Sequence, residues 1–423
     1  MIGSSPPDAV VTDATTPAER IEVLDVLRGF AMLGILLVNM EGFSSPGYRT
    51  EAGERLWTGL PDRIVESLIL HGAAGKFMVI FTFLFGLGFA LQMQRASARG
   101  LPFLRLQVRR LTVLLLIGLA HAFLIWYGDI LVGYALAGFL LLLWRGCRPR
   151  TILVWAIALN LLSFAELEID VLRNLVRPPA ESERVDAGTP HVGRHDPGPL
   201  ARARVEAYAH GTLTDIARQR ARDFLDDHRQ GYNVVVRRLS FFLFGLYVGS
   251  LGILRDVPRH LPLLARVLAW SLLVGGVMHV ARYLLFLQGL PDWMRLLRLP
   301  TSIVGNPALA CAYSVALVLL FQLPVWRAWL SPLGAVGRAP LSNYLLQSVI
   351  CTGIFYSYGL GLYGRVGPAA GMVVTLAVFA AQLLVSVWWL RRFRFGPVEW
   401  LWRSLTYGRP QPFRGPAGRA TTG

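Results

Sequence analysis

Ten apolar runs alternate with short polar connections along this chain: Val23 to Met40, Phe77 to Met93, Leu111 to Tyr127, Ile130 to Trp144, Thr151 to Ala165, Leu239 to Leu254, Pro262 to Leu287, Ile303 to Leu323, Leu341 to Tyr358 and Ala370 to Leu390. A bilayer core takes about 20 helical residues, fewer where polar ends snorkel, so each run is read as a span. The pattern predicts an all-α, polytopic membrane protein of about ten transmembrane helices with one external polar excursion. Its divisions are a tail over 1–22, five spans over 23–165, the excursion over 166–238, five spans over 239–390 and a second tail over 391–423. Within the excursion, Val205, Tyr208, Leu213, Ile216, Phe224 and Leu225 recur at roughly helical spacing, which predicts an amphipathic helix from Ala201 to His228. It reads as a solvated surface helix or as a lid over an outward-facing site.

Composition sharpens the class. Hydrophobic residues make up 54% of the chain and charged residues 16%, and the mean hydropathy is +0.47, more apolar surface than a soluble domain hides. The first twenty residues hold Asp8, Asp13 and Glu19 without an apolar core, so no cleaved leader is expected. The net charge of +16 sits in short loops beside the runs, which argues for membrane topology and against nucleic acid. Arg95, Arg99, Arg105, Arg109 and Arg110 between the second and third spans form the clearest cytoplasmic signal. With ten spans, both termini are expected in the cytoplasm. Arg237 and Arg238 break this rule at the external end of the sixth span, which weakens the topology or hints at an anionic ligand there. Cys147, Cys311 and Cys351 offer neither a disulfide framework nor metal-ligand spacing, and no metal is expected.

Candidate chemistry follows from polar residues at run ends. Asp25 and Arg28 share a helix face at the start of the first span and read either as a snorkelling pair or as a site for an anionic cofactor group. Asn39 lies some 16 Å further along that helix, in the opposite leaflet. His71 and Lys76, the only lysine among 42 basic residues, open the second span on that same side. His121, in the outer half of the third span, needs a hydrogen-bond partner, and Asp129 at the next turn can supply it. An acid-paired imidazole suits general-base activation of a hydroxyl or amine, with Lys76 or Asn39 stabilising an oxyanion. In the tail, Glu399 and Arg403 are four apart and are expected to pair across one helical turn, as an interfacial anchor or at a cofactor entrance. The echo of Phe83-Leu84-Phe85-Gly86-Leu87 in Phe242-Leu243-Phe244-Gly245-Leu246 is read as two helix-packing glycines.

Several stretches together resemble the YeiB family of bacterial membrane proteins, a domain of unknown function (DUF418). They are Leu24 to Phe30 leading into Val38-Asn39, Gly75-Lys76-Phe77 with Leu84 to Gly88, Gly118 to His121 with Gly128-Asp129-Ile130-Leu131, Leu341 to Tyr344, and Gly396 to Arg403. That family resembles a branch of the transmembrane acyltransferase superfamily, with the heparan-α-glucosaminide acetyltransferases and, more distantly, acyltransferase family 3. The resemblance implies transfer of an acyl group, acetyl first, from cytosolic acyl-CoA to a hydroxyl, amine or glycan acceptor beyond the bacterial cytoplasmic membrane. Family 3 commonly has His where Asn39 stands, whereas the heparan branch has Asn. His71 alone lies in the region of that branch's active His, and the YeiB pattern itself contains His121.

The expectation is thus an acyltransferase with His121, Asp129, Asn39 and Lys76 as catalytic residues. Asp25, Arg28, Arg109, Arg110, Glu399 and Arg403 are expected to hold the acyl-CoA donor. The lipid bilayer is the expected partner, with homo-oligomerisation an option. The alternative is a transporter or exporter of a small polar or anionic solute, using the same charges as a path.

Overall fold

A computed structural model of the protein describes residues 21–50, 55–176, 198–229, 232–287 and 298–414. Most of the N-terminal tail, residues 177–197 of the excursion and the end of the C-terminal tail lie outside the described residues. All ten apolar runs are helical. They lie in α1 (Glu22–Ser44), α3 (Lys76–Ala98), α4 (Phe103–Leu124), α5 (Leu131–Leu141), α6 (Pro149–Val176), α9 (Tyr232–Leu251), α10 (Leu261–Leu287), α11 (Arg298–Leu320), α13 (Pro340–Phe355) and α14 (Pro368–Arg392). Among the described residues, five further α-helices are α2 (Leu60–Leu68), α7 (Pro199–Val205), α8 (Leu213–Arg229), α12 (Pro324–Arg338) and α15 (Pro397–Tyr407). The chain is an all-α polytopic membrane protein.

Among the described residues, six helical segments are long and apolar enough to cross a bilayer unaided: Glu22–Ser44, Leu60–Ala98, Val234–Leu251, Pro258–Ala281, Ile303–Leu320 and Pro368–Arg392. The other runs differ for local reasons. The first turns of α4 carry Arg105, Arg109 and Arg110, and α13, with 16 residues, reaches only about 24 Å. The sequence pattern left residues 324–338 unassigned because their apolar positions cover one face only. There α12 buries Val336 and leaves Trp326 and Trp329 exposed, as suits an interfacial helix.

The expected helix over Ala201–His228 is two helices. A wide turn over Glu206–His210 ends the first. Thr212 and Asp215 then cap the second reciprocally: the Thr212 amide donates to Asp215 Oδ2 at 3.0 Å and the Asp215 amide to Thr212 Oγ1 at 3.3 Å. Both pack against the bundle. Arg220 Nη1 donates to the Phe123 carbonyl at 3.0 Å, and the Tyr208 carbonyl accepts from the Ser357 amide at 2.8 Å.

The two Phe-Leu-Phe-Gly echoes cross each other. A Cβ added at Gly86 would fall 1.9 Å from the Phe242 carbonyl oxygen, and one at Gly245 would fall 2.0 Å from that of Phe83. Only glycine allows this approach of α3 to α9, and Phe85 stacks on Phe242 at 4.5 Å across it. Gly86→Ala and Gly245→Ala are each expected to destabilise the protein by about 1–3 kcal/mol. Thermal unfolding in detergent checks this, with Gly276→Ala, where nothing lies within 4 Å, expected to leave the midpoint unchanged or higher.

Candidate active site

The turn between α4 and α5 brings an acid and a base together. His121 Nδ1 lies 2.7 Å from Asp129 Oδ2, and Asp129 Oδ1 accepts the Val132 amide at 2.7 Å. One carboxylate thus caps the start of α5 and orients the imidazole. With the Nδ1 proton donated to the carboxylate, Nε2 presents a lone pair; it is buried and has no protein partner. Folding Asp129 back over eight residues is the work of the tight Tyr127–Ile130 turn, where the Asp129 amide donates to the Tyr127 carbonyl at 2.8 Å.

Tyr344 of α13 closes the other side. Its ring centroid lies 5.0 Å from that of His121. Its hydroxyl accepts from the Ile130 amide and donates to the Gly128 carbonyl, both at 3.3 Å. Buried amides hold α13 against α14: Gln347 Nε2 donates to Gln382 Oε1 at 2.9 Å, and Gln382 Nε2 to the Asn343 carbonyl at 2.9 Å.

A cavity of about 330 Å³ approaches this group from the end of the bundle where arginines collect. Arg28, Arg95, Arg99, Arg110, Arg338, Arg394 and Arg403 line it, against two acids, Asp25 and Glu399. Further in, the walls are Phe85, Leu111, Leu114, Leu131 and Ile130, with Tyr134 and Tyr344. The cavity therefore grades from cationic to apolar and ends at the tyrosine that faces His121. The Tyr134 hydroxyl is within 2.7 Å of Thr82 Oγ1 there.

Asp25 and Arg28 form an ion pair at 2.8 Å. The expected Glu399–Arg403 pair is not made. Glu399 instead caps the N-terminus of α13, accepting the Leu341 and Ser342 amides on Oε1 at 2.6 and 3.1 Å and the Ser342 hydroxyl on Oε2. Unsatisfied helix-end amides win this carboxylate over the half-buried intrahelical cation. Burial pushes its carboxyl above the usual range, against the pull of those hydrogen bonds. Arg403 lies over the Phe395 ring at 4.6 Å. Arg110 lies over the Trp402 ring at 4.0 Å, and its carbonyl accepts from Trp402 Nε1 at 2.8 Å. Arg109 is turned away from the cavity, with Nη2 donating to the Leu405 carbonyl at 3.3 Å near the end of α15.

Neither Asn39 nor Lys76 is a hydrogen-bond partner of the His121–Asp129 pair. Asn39 is half-buried near the far end of α1. Lys76 is fully buried at the start of α3, where Nζ donates to the Leu70 carbonyl at 3.5 Å. The His71 ring meets Tyr283 edge-on at 5.8 Å. The sequence reading assigned no role to Tyr134 or Tyr344; the signals they carry are a hydroxyl in an otherwise apolar run and, for Tyr344, its place in the stretch from Leu341 that resembles the YeiB pattern.

Over the opposite end, α7 and α8 form a cap centred on Asp223. It accepts from Tyr208 at 2.6 Å, and from Arg204 and Gln219 at 3.0 Å, while Tyr208 stacks on Tyr356 at 4.5 Å.

Comparison with known proteins adds lineage without an activity. A family model described as a protein of unknown function (DUF418) matches residues 248–409. The chain is 39% identical over 414 residues to the uncharacterized protein YxaH of Bacillus subtilis strain 168, covering 94% of this chain and 97% of that protein. It is 30% identical over 409 residues to the uncharacterized protein YeiB of Escherichia coli K12, covering 92% and 96%. An uncharacterized 39.9 kDa protein in the amylase 3′ region of Bacillus acidopullulyticus is 29% identical over 397 residues, covering 93% and 96%.

The capping role of Glu399 has a measurable consequence. Glu399→Ala is expected to cost about 1–2 kcal/mol of stability, and Glu399→Gln, which keeps an acceptor for the amides, less than half of that. Thermal unfolding of the purified variants in detergent reads the difference.

Proposed function

The chain belongs to the YeiB-like DUF418 family of membrane proteins, and on that premise we propose that it is a membrane-embedded acyltransferase. It moves an acyl group, acetyl being the simplest, from cytosolic acyl-CoA to a hydroxyl or amine acceptor at the outer face. The observation that carries this reading is the arginine-lined cavity whose inner end is the Tyr344 ring against His121.

The arginine-rich end faces the cytoplasm by the positive-inside rule, in a bacterial cytoplasmic membrane with both termini inside. Acyl-CoA carries its phosphates at one end and its thioester at the far end of a thin, flexible arm. Arg28, Arg110 and Arg403 offer planar donors suited to phosphates, and the apolar walls further in suit the arm. The acyl group then reaches Tyr134 and Tyr344. Asp129 fixes the imidazole so that Nε2 takes the proton of an acceptor hydroxyl or amine as it attacks the thioester.

His121→Ala is expected to lower acetyl-CoA turnover by the purified protein about 10²–10⁴-fold, the usual worth of a general base. Unchanged turnover removes His121 from the mechanism. Arg110→Gln is expected to raise KM for acetyl-CoA several-fold with kcat within about twofold, because a phosphate contact remote from the thioester acts on ground state and transition state alike.

A further inference from the structure

Arg238 lies in the second turn of α9, at the end of the bundle away from the arginine-lined mouth. The residue is half-buried, and its guanidinium reaches α5. A Cβ on Gly133, in the first turn of α5, would fall 1.5 Å from Arg238 Nη1, so the missing side chain at 133 is what makes room for the cation. The guanidinium carbon sits 5.6 Å from the ring centroid of Tyr134, which lines the inner end of the cavity. The groups in its electrostatic reach are Asp129, Tyr134, Tyr344 and the neighbouring Arg237.

Among the described residues, Arg238 makes no hydrogen bond and no ion pair. The oxygens of Asp129 meet His121 and the Val132 amide instead. A cation inside a helix bundle without a partnering anion is costly. A cation fixed in such a place is preorganised to stabilise negative charge that develops during acyl transfer.

We propose that Arg238 is a catalytic residue that stabilises the oxyanion of acyl transfer, a role the sequence had offered to Lys76 or Asn39. The inference rests on the acyltransferase reading. The acceptor oxygen attacks the thioester carbonyl carbon and its proton passes to His121 Nε2. The carbonyl π pair becomes an oxyanion facing the Arg238 guanidinium. When the carbonyl re-forms, the C–S bond breaks and the CoA sulfur leaves with the proton from His121. Arg238 stays protonated throughout, and no redox partner is needed.

The test is release of CoA thiol from acetyl-CoA, with water as acceptor, by the purified full-length protein in detergent. Arg238→Gln is expected to lower kcat about 10²–10³-fold with KM within about twofold. Arg238→Lys, which keeps the charge, is expected to recover about tenfold of that loss. Gly133→Ala, which sets a methyl group where the guanidinium lies, is expected to resemble Arg238→Gln, and thermal midpoints within a few degrees of wild type separate these effects from unfolding. A kcat for Arg238→Gln within about threefold of wild type, or a loss confined to KM or shared with an unfolded sample, overturns the role of Arg238. If His121→Ala is inactive in the same assay while Arg238→Gln is not, the acyltransferase reading stands alone. A wild-type protein that releases no thiol overturns both.

Discussion

A buried carboxylate must spend its lone pairs on protein donors, and Asp129 spends them on two elements at once. One oxygen meets the imidazole of His121 and the other the Val132 amide. The ring tautomer, the start of α5 and the turn between α4 and α5 are therefore one construction. Tyr344 grips the same turn through the Ile130 amide and the Gly128 carbonyl, so α13 is registered to it as well. In a hydrocarbon setting, where no water repairs a broken bond, a change at Asp129 propagates to all of these.

At the other end of the cavity a second carboxylate does comparable work. Glu399 brings the C-terminal helix α15 onto the start of α13, and Trp402 and Arg110 tie that helix to α4. The arginine-lined mouth is thus assembled from segments far apart in sequence. Seven arginines line that mouth against two acids, Asp25 and Glu399, an excess of positive charge that suits a polyanionic ligand.

The fold class was legible because apolar run length reports membrane spans directly, and all ten runs are helices. Chain geometry hid the rest. The break at Gly211–Thr212 depends on a reciprocal cap that competes with helical periodicity, and α12 was missed because one apolar face does not look like a span. In the site, Asp129 was readable as the partner of His121 from its place at a turn, and Asp25 as that of Arg28 from helical spacing. Glu399 was misjudged because its neighbour in sequence, Arg403, was visible and its neighbours in space, the amides of residues 341 and 342, were not. Arg238 stood out as a breach of the charge rule, but the room that Gly133 makes for it is a property of packing alone.

The central claim is that the donor occupies the arginine-lined cavity with its reactive end towards His121. A cryo-EM structure of the protein with a non-hydrolysable thioether analogue of acetyl-CoA tests it most directly. The account predicts density for the phosphates beside Arg28, Arg110 and Arg403 and for the acyl end against Tyr134 and Tyr344. Analogue density elsewhere, or a cavity unchanged at saturating analogue, would contradict it.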